Sequence, residues 1–231
     1  MERSMKSHSP ICRIRPISHL GPIRPMRPPI SLLPHDLLRL ASPSFMVYRA
    51  QPPEWVAAAL RHAPYVVMRR ARLDNGLVPV GIRGSSRSQR FAAWLSEDAI
   101  QTVVRPEDIA AGRSWKILPL MTPISRALDL VEGIFPEFTW GPTGGVGFQL
   151  ASGIAVTTSE SDLDIIVRAP LRLPLDTARR LRAALATAPV RVDVQLETPA
   201  GAVALVEYAH RSNQVLARSL DGPRFVADPW S

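Results

Sequence analysis

Cysteine is nearly absent. The chain of 231 residues has one, Cys12, which excludes an internal disulfide and any multi-cysteine metal site. That usage is compatible with a reducing cytoplasm, the location expected here. No apolar run approaches the roughly 18 residues needed to span a membrane, so no membrane partner is expected. The Gly-x-Ser-x-Gly, Walker and Rossmann signatures are missing, which removes the commonest hydrolase and nucleotide-binding readings. His35, His62 and His210 show no metal spacing and read as surface or structural residues. There is no internal repeat.

Acidic residues are scarce in one region only. The net charge is +8, and residues 1–30 supply +5 of it through six basic groups against Glu2 alone. The other 201 residues carry 22 basic and 19 acidic groups, or +3. The high pI therefore belongs largely to the N-terminal segment, and nucleic acid is not an expected partner of the body. Residues 1–30 also hold six of the 23 prolines and show no periodicity. They lack the continuous apolar stretch of a secretory signal, and their prolines oppose a transit-peptide helix. The segment reads as a disordered basic tail, with Met26 a candidate start.

Hydrophobic residues make up 46% of the chain, ample for a core. Residues 31–121 read as an N-terminal α/β domain. A short helix opens at Pro53-Glu54 and ends near His62. Strands at 65–68 and 77–81 join through Asp74-Asn75-Gly76, and Pro79 marks the second as an edge. Residues 88–100 read as a helix, with Phe91, Trp94, Leu95 and Ala99 on one side.

Residues 122–231 form a second unit. Thr122-Pro123 reads as a helix cap and first turn, followed by Ile124, Ala127, Leu128, Val131 and Ile134 at helical spacing. A glycine turn, a strand, a helix from Asp176 and another strand follow. A short helix is expected near 202–209, and a hairpin turning at Asp221-Gly222 closes the chain. The fold class is α+β.

The chemistry concentrates in this second unit. Asp162 and Asp164 flank Leu163 at the mouth of the apolar run Ile165-Ile166-Val167. On a strand they share one face, where two close carboxylates favour a hard cation such as Mg²⁺. Asp193 alternates with Val192 and Val194 on a later strand, facing with Gln195 and Glu197. Adjacency of the two strands would bring it beside the pair. The plain alternative is a set of solvated acids. Gly144 and Gly145 suit a backbone approach to phosphate, or simply a turn. A loop at 81–90 carries Arg83, Arg87 and Arg90 with no acid, and is read as running from a strand into a helix. It suits phosphate or solvent.

A Gly-Gly turn, an Asp-x-Asp strand and a third acid on a later strand resemble the polymerase-beta-like nucleotidyltransferase superfamily. The resemblance narrows further. Residues 140–153, Ser161-Asp162-Leu163-Asp164 and Asp193–Pro199 are similar to the phosphoribosyl-dephospho-CoA transferases of malonate decarboxylase. So are Pro34-His35-Asp36-Leu37-Leu38, residues 81–93 and Asp228-Pro229-Trp230. The resemblance spans residue 33 to the end.

It implies transfer of a phosphoribosyl-dephospho-CoA unit from triphosphoribosyl-dephospho-CoA to a serine of the malonate decarboxylase acyl carrier protein, with loss of pyrophosphate. Asp162 and Asp164 would hold Mg²⁺, with Asp193 completing a second metal site or orienting the serine. Gly144, Gly145, Arg83, Arg87 and Arg90 would bind phosphate. The superfamily often has Gly-Ser where this chain has Gly144-Gly145, so one hydroxyl contact is expected to be missing. The alternatives are a nucleotidyltransferase with another acceptor, such as a protein adenylyltransferase, and a non-catalytic nucleic-acid-binding protein suggested by the pI.

Overall fold

Among the described residues, two six-stranded sheets follow each other along the chain, each with its own apolar core. The computed structural model describes residues 31–86, 88–211 and 213–231. The basic segment 1–30 and Arg87 lie outside the described residues. Leu32–Ser231 forms one compact unit.

The first sheet comprises β1 (Leu37–Leu40), β2 (Met46–Val47), β3 (Tyr65–Met68), β4 (Leu77–Arg83), β5 (Arg90–Ser96) and β6 (Ile100–Val104), with helix α1 (Glu54–His62) between β2 and β3. Its order is β2-β5-β4-β3-β1-β6, with every pair antiparallel. Val78, Val80 and Ile82 alternate into the core and meet Ala93 and Leu95 from β5. Val56 and Leu60, one turn apart on α1, fill the same core.

The second layer begins with α2 (Pro106–Ala111) and α3 (Thr122–Ile134). Then come β7 (Thr139–Pro142), α4 (Gly144–Ser152), β8 (Leu163–Arg168), α5 (Leu175–Leu185) and β9 (Val192–Thr198). β10 (Gly201–Ala204), α6 (Leu205–His210), β11 (Val215–Ser219) and β12 (Gly222–Val226) complete it. The sheet order is β12-β11-β10-β9-β8-β7. β8 and β9 are parallel, joined by the α5 crossover, and the other pairs are antiparallel. The fold is thus α+β, an N-terminal sheet domain preceding a C-terminal mixed sheet with helices. No helix among the described residues is long and apolar enough to cross a membrane.

Several elements differ from the sequence expectation. Residues 90–96 are a strand, not part of a helix, and residues 97–99 form a single 3-10 turn. Phe91, Trp94 and Leu95 fit a helical stripe by spacing alone. Pairing along all of β4, from Leu77↔Ser96 to Arg83↔Arg90, decides for the strand. The arginine loop is therefore a hairpin connection, and Arg90 opens a strand instead of a helix.

Pro79 lies in a strand between two neighbours, not on an edge. β3 ends at Met68, beside Val80, and Arg69 N donates to Pro79 O at 2.9 Å. The missing Pro79 N–H therefore faces a position beyond the end of β3, where no ladder bond is lost. Residues 201–204 are strand, with helix only from Leu205. Met121, not Thr122, caps α3, and Pro123 sits in its first turn.

The two sheets are joined through apolar and ionic contacts. Leu37, Ala63, Tyr65 and Val67 of the first pack against Phe148 and Ala151 of α4. Tyr65 and Phe148 meet edge to face, with centroids 6.3 Å apart. Arg70 makes a bidentate pair with Glu197, and Arg168 pairs with Glu107, all four side chains largely buried. Arg72 pairs with Asp221 across the same junction, but both are exposed and contribute little.

His35 and Asp36 stand at this junction with opposed titrations. Burial, then the positive charges of Arg70 and Arg168, lowers the His35 pKa to about 4. Burial raises the Asp36 carboxyl to about 6, against the Leu33 N–H and Arg168 and with the help of Glu107. His35 alone makes the fold lose stability as pH falls from 6.5 towards 4, because the unfolded chain binds the proton first. Asp36 alone makes it gain stability as pH falls from 6 towards 3.8, because the folded carboxyl binds first. Each slope amounts to roughly 3 kcal/mol at most, so in the native chain the two nearly cancel. Asp36→Asn should therefore unmask acid destabilisation between pH 6.5 and 4, and His35→Gln should show the reverse trend. Urea midpoints across that range check both signs.

Candidate active site

The strand period sorts the side chains of β8 and β9 onto two faces. Leu163, Ile165 and Val167 enter the second core together with Val194 and Leu196. The opposite face carries Asp164, Ile166 and Arg168 from β8 and Asp193, Gln195 and Glu197 from β9. The parallel register places Asp164 opposite Asp193, Ile166 opposite Gln195 and Arg168 opposite Glu197. Asp193 thus stands beside Asp164, the two strands being neighbours. Asp162 immediately precedes β8, two residues before Asp164 and in phase with it. Asp193 Oδ1 accepts from Arg191 Nε at 3.0 Å.

The glycine segment is a helix start. β7 ends at Pro142, Thr143 is extended, and α4 runs from Gly144. Thr143 N donates to Asp164 O at 2.8 Å, which fixes the start of α4 to the acid-bearing strand. Gly144 has φ of +59°, and a Cβ there would fall on the Asp164 carboxylate. Both backbone and space thus demand glycine. A Cβ on Gly145 would lie 3.2 Å from Arg83 Nη2. Arg83, at the end of β4, therefore reaches across from the first sheet to the first turn of α4.

Three adjoining hollows surround these groups. The largest, about 830 Å³, is lined by Asp164, Asp193, Gln195 and Arg218 among others. A second, about 470 Å³, shares Gln195 and Arg218 with it and adds His35, Arg69 and Arg70. The third, about 190 Å³, holds Arg83, Arg90, Thr143 and Gly144 beside the apolar Phe148, and shares His35 with the second. Arg83, Arg90 and Gly144 therefore meet in one cavity, with Gly145 under the Arg83 guanidinium. Two cations at a helix N-terminus suit a phosphate. Arg87 lies outside the described residues.

His35 was expected at the surface or in a structural role, yet it lines two of the three hollows. It has φ of +76°, a backbone state that spacing in the sequence does not signal. Gln195, Arg69 and Arg218 are further lining residues. Only Gln195 was foreshadowed, by its alternation with Asp193.

Mg²⁺ fits the donor chemistry. The carboxylates are hard oxygen ligands, and Asp164 and Asp193 are adjacent. Among the described residues no group of three or more His, Cys, Asp or Glu side chains is placed to hold a metal ion. The adjacent Asp164 and Asp193 offer two carboxylates, and Mg²⁺ is commonly bound through one or two.

Comparison with known proteins identifies the family. Residues 33–106 match the phosphoribosyl-dephospho-CoA transferase MdcG N-terminal domain, and residues 112–229 the C-terminal domain of the same family. The chain belongs to the phosphoribosyl-dephospho-CoA transferase family. It is 42% identical over 199 residues to the phosphoribosyl-dephospho-CoA transferase of Pseudomonas aeruginosa, covering 85% of this chain and 93% of that one. For the Pseudomonas putida strain GB-1 protein of the same name the figures are 44% over 200 residues, 86% and 95%. For that of Azotobacter vinelandii they are 41% over 204 residues, 85% and 93%. No solved structure matches. The chain is accordingly an enzyme of the transferase class.

Gly144→Ala tests the junction of α4 with Asp164. A left-handed alanine costs about 1 kcal/mol, and its methyl must also displace the carboxylate. We expect transferase activity to fall by about tenfold or more and the melting temperature by a few degrees. Gly153→Ala, also at positive φ (+74°) but with open space around it, should lose comparable stability and keep its activity.

Proposed function

We propose that this enzyme transfers the phosphoribosyl-dephospho-CoA unit from its triphosphate precursor to a serine of the malonate decarboxylase acyl carrier protein, releasing pyrophosphate. The observation that carries the reading is the adjacency of Asp164 and Asp193, with Gly144 at the α4 N-terminus against the Asp164 carboxylate and lining a hollow that also holds Arg83 and Arg90. Family membership selects the transferred group.

The roles follow from position. The first-turn amides of α4, Arg83 and Arg90 hold the triphosphate and favour the negative charge that develops on the leaving pyrophosphate. Arg87 is assigned to the same group by sequence. Asp162 and Asp164 would hold Mg²⁺, which when bound neutralises charge on the attacking and leaving oxygens. Asp193 would complete a second metal site or orient the serine hydroxyl. The serine oxygen forms the new bond to the α-phosphorus in line with the departing pyrophosphate. The protein supplies positioning and electrostatics rather than a covalent intermediate. A cytoplasmic setting, expected from the cysteine usage, is part of the same proposal.

Intact-mass measurement of apo carrier protein incubated with enzyme, precursor and Mg²⁺ tests this directly. The carrier should gain the mass of one prosthetic group. Asp164→Asn should slow that gain by about 100-fold or more, equivalent to nearly 3 kcal/mol of transition-state stabilisation, with an unchanged fold. Asp162→Asn should behave alike. Near-native transfer in both variants would remove the acids from the mechanism.

A further inference from the structure

The hollow of about 470 Å³ has no role in the reaction as described so far. Among the described residues no carboxylate lines it, whereas Arg69, Arg70, Arg218, His35 and Gln195 do. Arg70 is neutralised by Glu197. Arg69 and Arg218 make no ion pair or side-chain hydrogen bond among the described residues. They come from different sheets. Arg69 follows β3 in the first, and Arg218 stands on β11 in the second, paired with Ala202. Two guanidinium groups brought to one concave surface without a counter-charge repel each other, and an anion between them removes that repulsion. His35 adds no charge at neutral pH, because burial and the neighbouring arginines keep its ring unprotonated.

The position matters as much as the charge. Arg218 and Gln195 also line the cleft that holds Asp164 and Asp193. His35 also lines the hollow of Arg83, Arg90 and Gly144. The two cationic hollows therefore share His35, and the one holding Arg69 and Arg218 adjoins the acid cleft through Gln195 and Arg218.

We propose that Arg69 and Arg218 form a second anion subsite, which binds the diphosphate linking adenosine to the pantetheine arm in the dephospho-CoA part of the substrate. This rests on the proposed function. That substrate carries two separate phosphate groups, a reacting triphosphate and this internal diphosphate. The first needs the helix N-terminus and the metal-binding acids. The second needs only fixed positive charge, which is what Arg69 and Arg218 offer. The subsite gives the enzyme a grip on the transferred group apart from the leaving group. Binding energy realised there can position the α-phosphorus at the acids.

Calorimetric titration with dephospho-CoA, which has the diphosphate but no triphosphate, tests the assignment. Arg218→Gln is an exposed change that leaves the core alone. It should weaken dephospho-CoA binding about 5- to 10-fold, and Arg69→Gln/Arg218→Gln by about 30-fold or more, a range set by charge-assisted hydrogen bonds near solvent. Arg218→Lys should recover part of the loss. Arg83→Gln/Arg90→Gln should bind dephospho-CoA as the native enzyme does. The proposal is overturned if the Arg69 and Arg218 variants bind as tightly as native enzyme, or if the loss appears in the Arg83/Arg90 variant instead. It is equally overturned if those variants raise only the KM for carrier protein, or if native enzyme shows no binding at millimolar dephospho-CoA. Because the titration needs no turnover, failure of the transferase reading shows separately, as native enzyme that binds dephospho-CoA but adds no mass to the carrier.

Discussion

The parallel register of β8 and β9 is the constraint on which the site depends. Asp164 and Asp193 are 29 positions apart in sequence, and the α5 crossover makes them lateral neighbours. A slip of one residue would turn one acid into the core and expose Val192 or Val194 in its place. The apolar half of each strand guards against that slip. Leu163, Ile165, Val167, Val194 and Leu196 are all buried against the helices, so the core fixes the register and the register fixes the acids.

The polar face of those two strands continues into the junction between the sheets. Arg168 and Glu197 are register partners four residues beyond the acid pair, and each takes its ionic partner from outside the second sheet. Arg168 holds Glu107 at the start of α2, and Glu197 holds Arg70 at the end of β3. Burial makes such pairs costly to form and costly to break, so they serve alignment more than net stability. Asp36 Oδ1, Glu107 Oε2 and Arg168 Nη2 have no hydrogen-bond partner among the described residues. The same stripe of residues thus carries the candidate site at one end and docking at the other.

How much of this was legible in the sequence follows from which interactions are local. The α1, α3 and α5 stripes are local, and so is the alternation that places Asp162 with Asp164 and Asp193 with Gln195. The closing hairpin is local too, fixed by Asp221-Gly222. β5 was read as a helix because Phe91, Trp94, Leu95 and Ala99 satisfy the helical period, while the β4 partner that overrules it has no signature within the segment. α4 was read as a turn because Gly144, Gly145 and Gly147 dilute the helical signal. In the fold those glycines answer to neighbours: Gly144 to Asp164, Gly145 to Arg83 and Gly147 to Pro142 O. Arg83 was a candidate by sequence, but its reach to the first turn of α4, the meeting of Arg69 with Arg218 in one hollow and the left-handed backbone of His35 are tertiary facts.

The expected gap at Gly145 shows what that means for the chemistry. A serine hydroxyl is missing from the turn, yet the space beside Gly145 is taken by the Arg83 guanidinium. A neutral donor in the turn is thus replaced by a charged one from β4, and a serine at 145 would press on it. A charge-assisted contact to phosphate is stronger than one from a hydroxyl, so the replacement need not weaken binding. It does change what binding depends on. A serine in the turn would follow its own helix, whereas Arg83 keeps its place only while the first sheet stays docked through Tyr65–Phe148, Arg70–Glu197 and Arg168–Glu107. On the proposed roles, phosphate affinity is therefore coupled to the packing of the two sheets, and a lesion at the junction acts on the site without touching it.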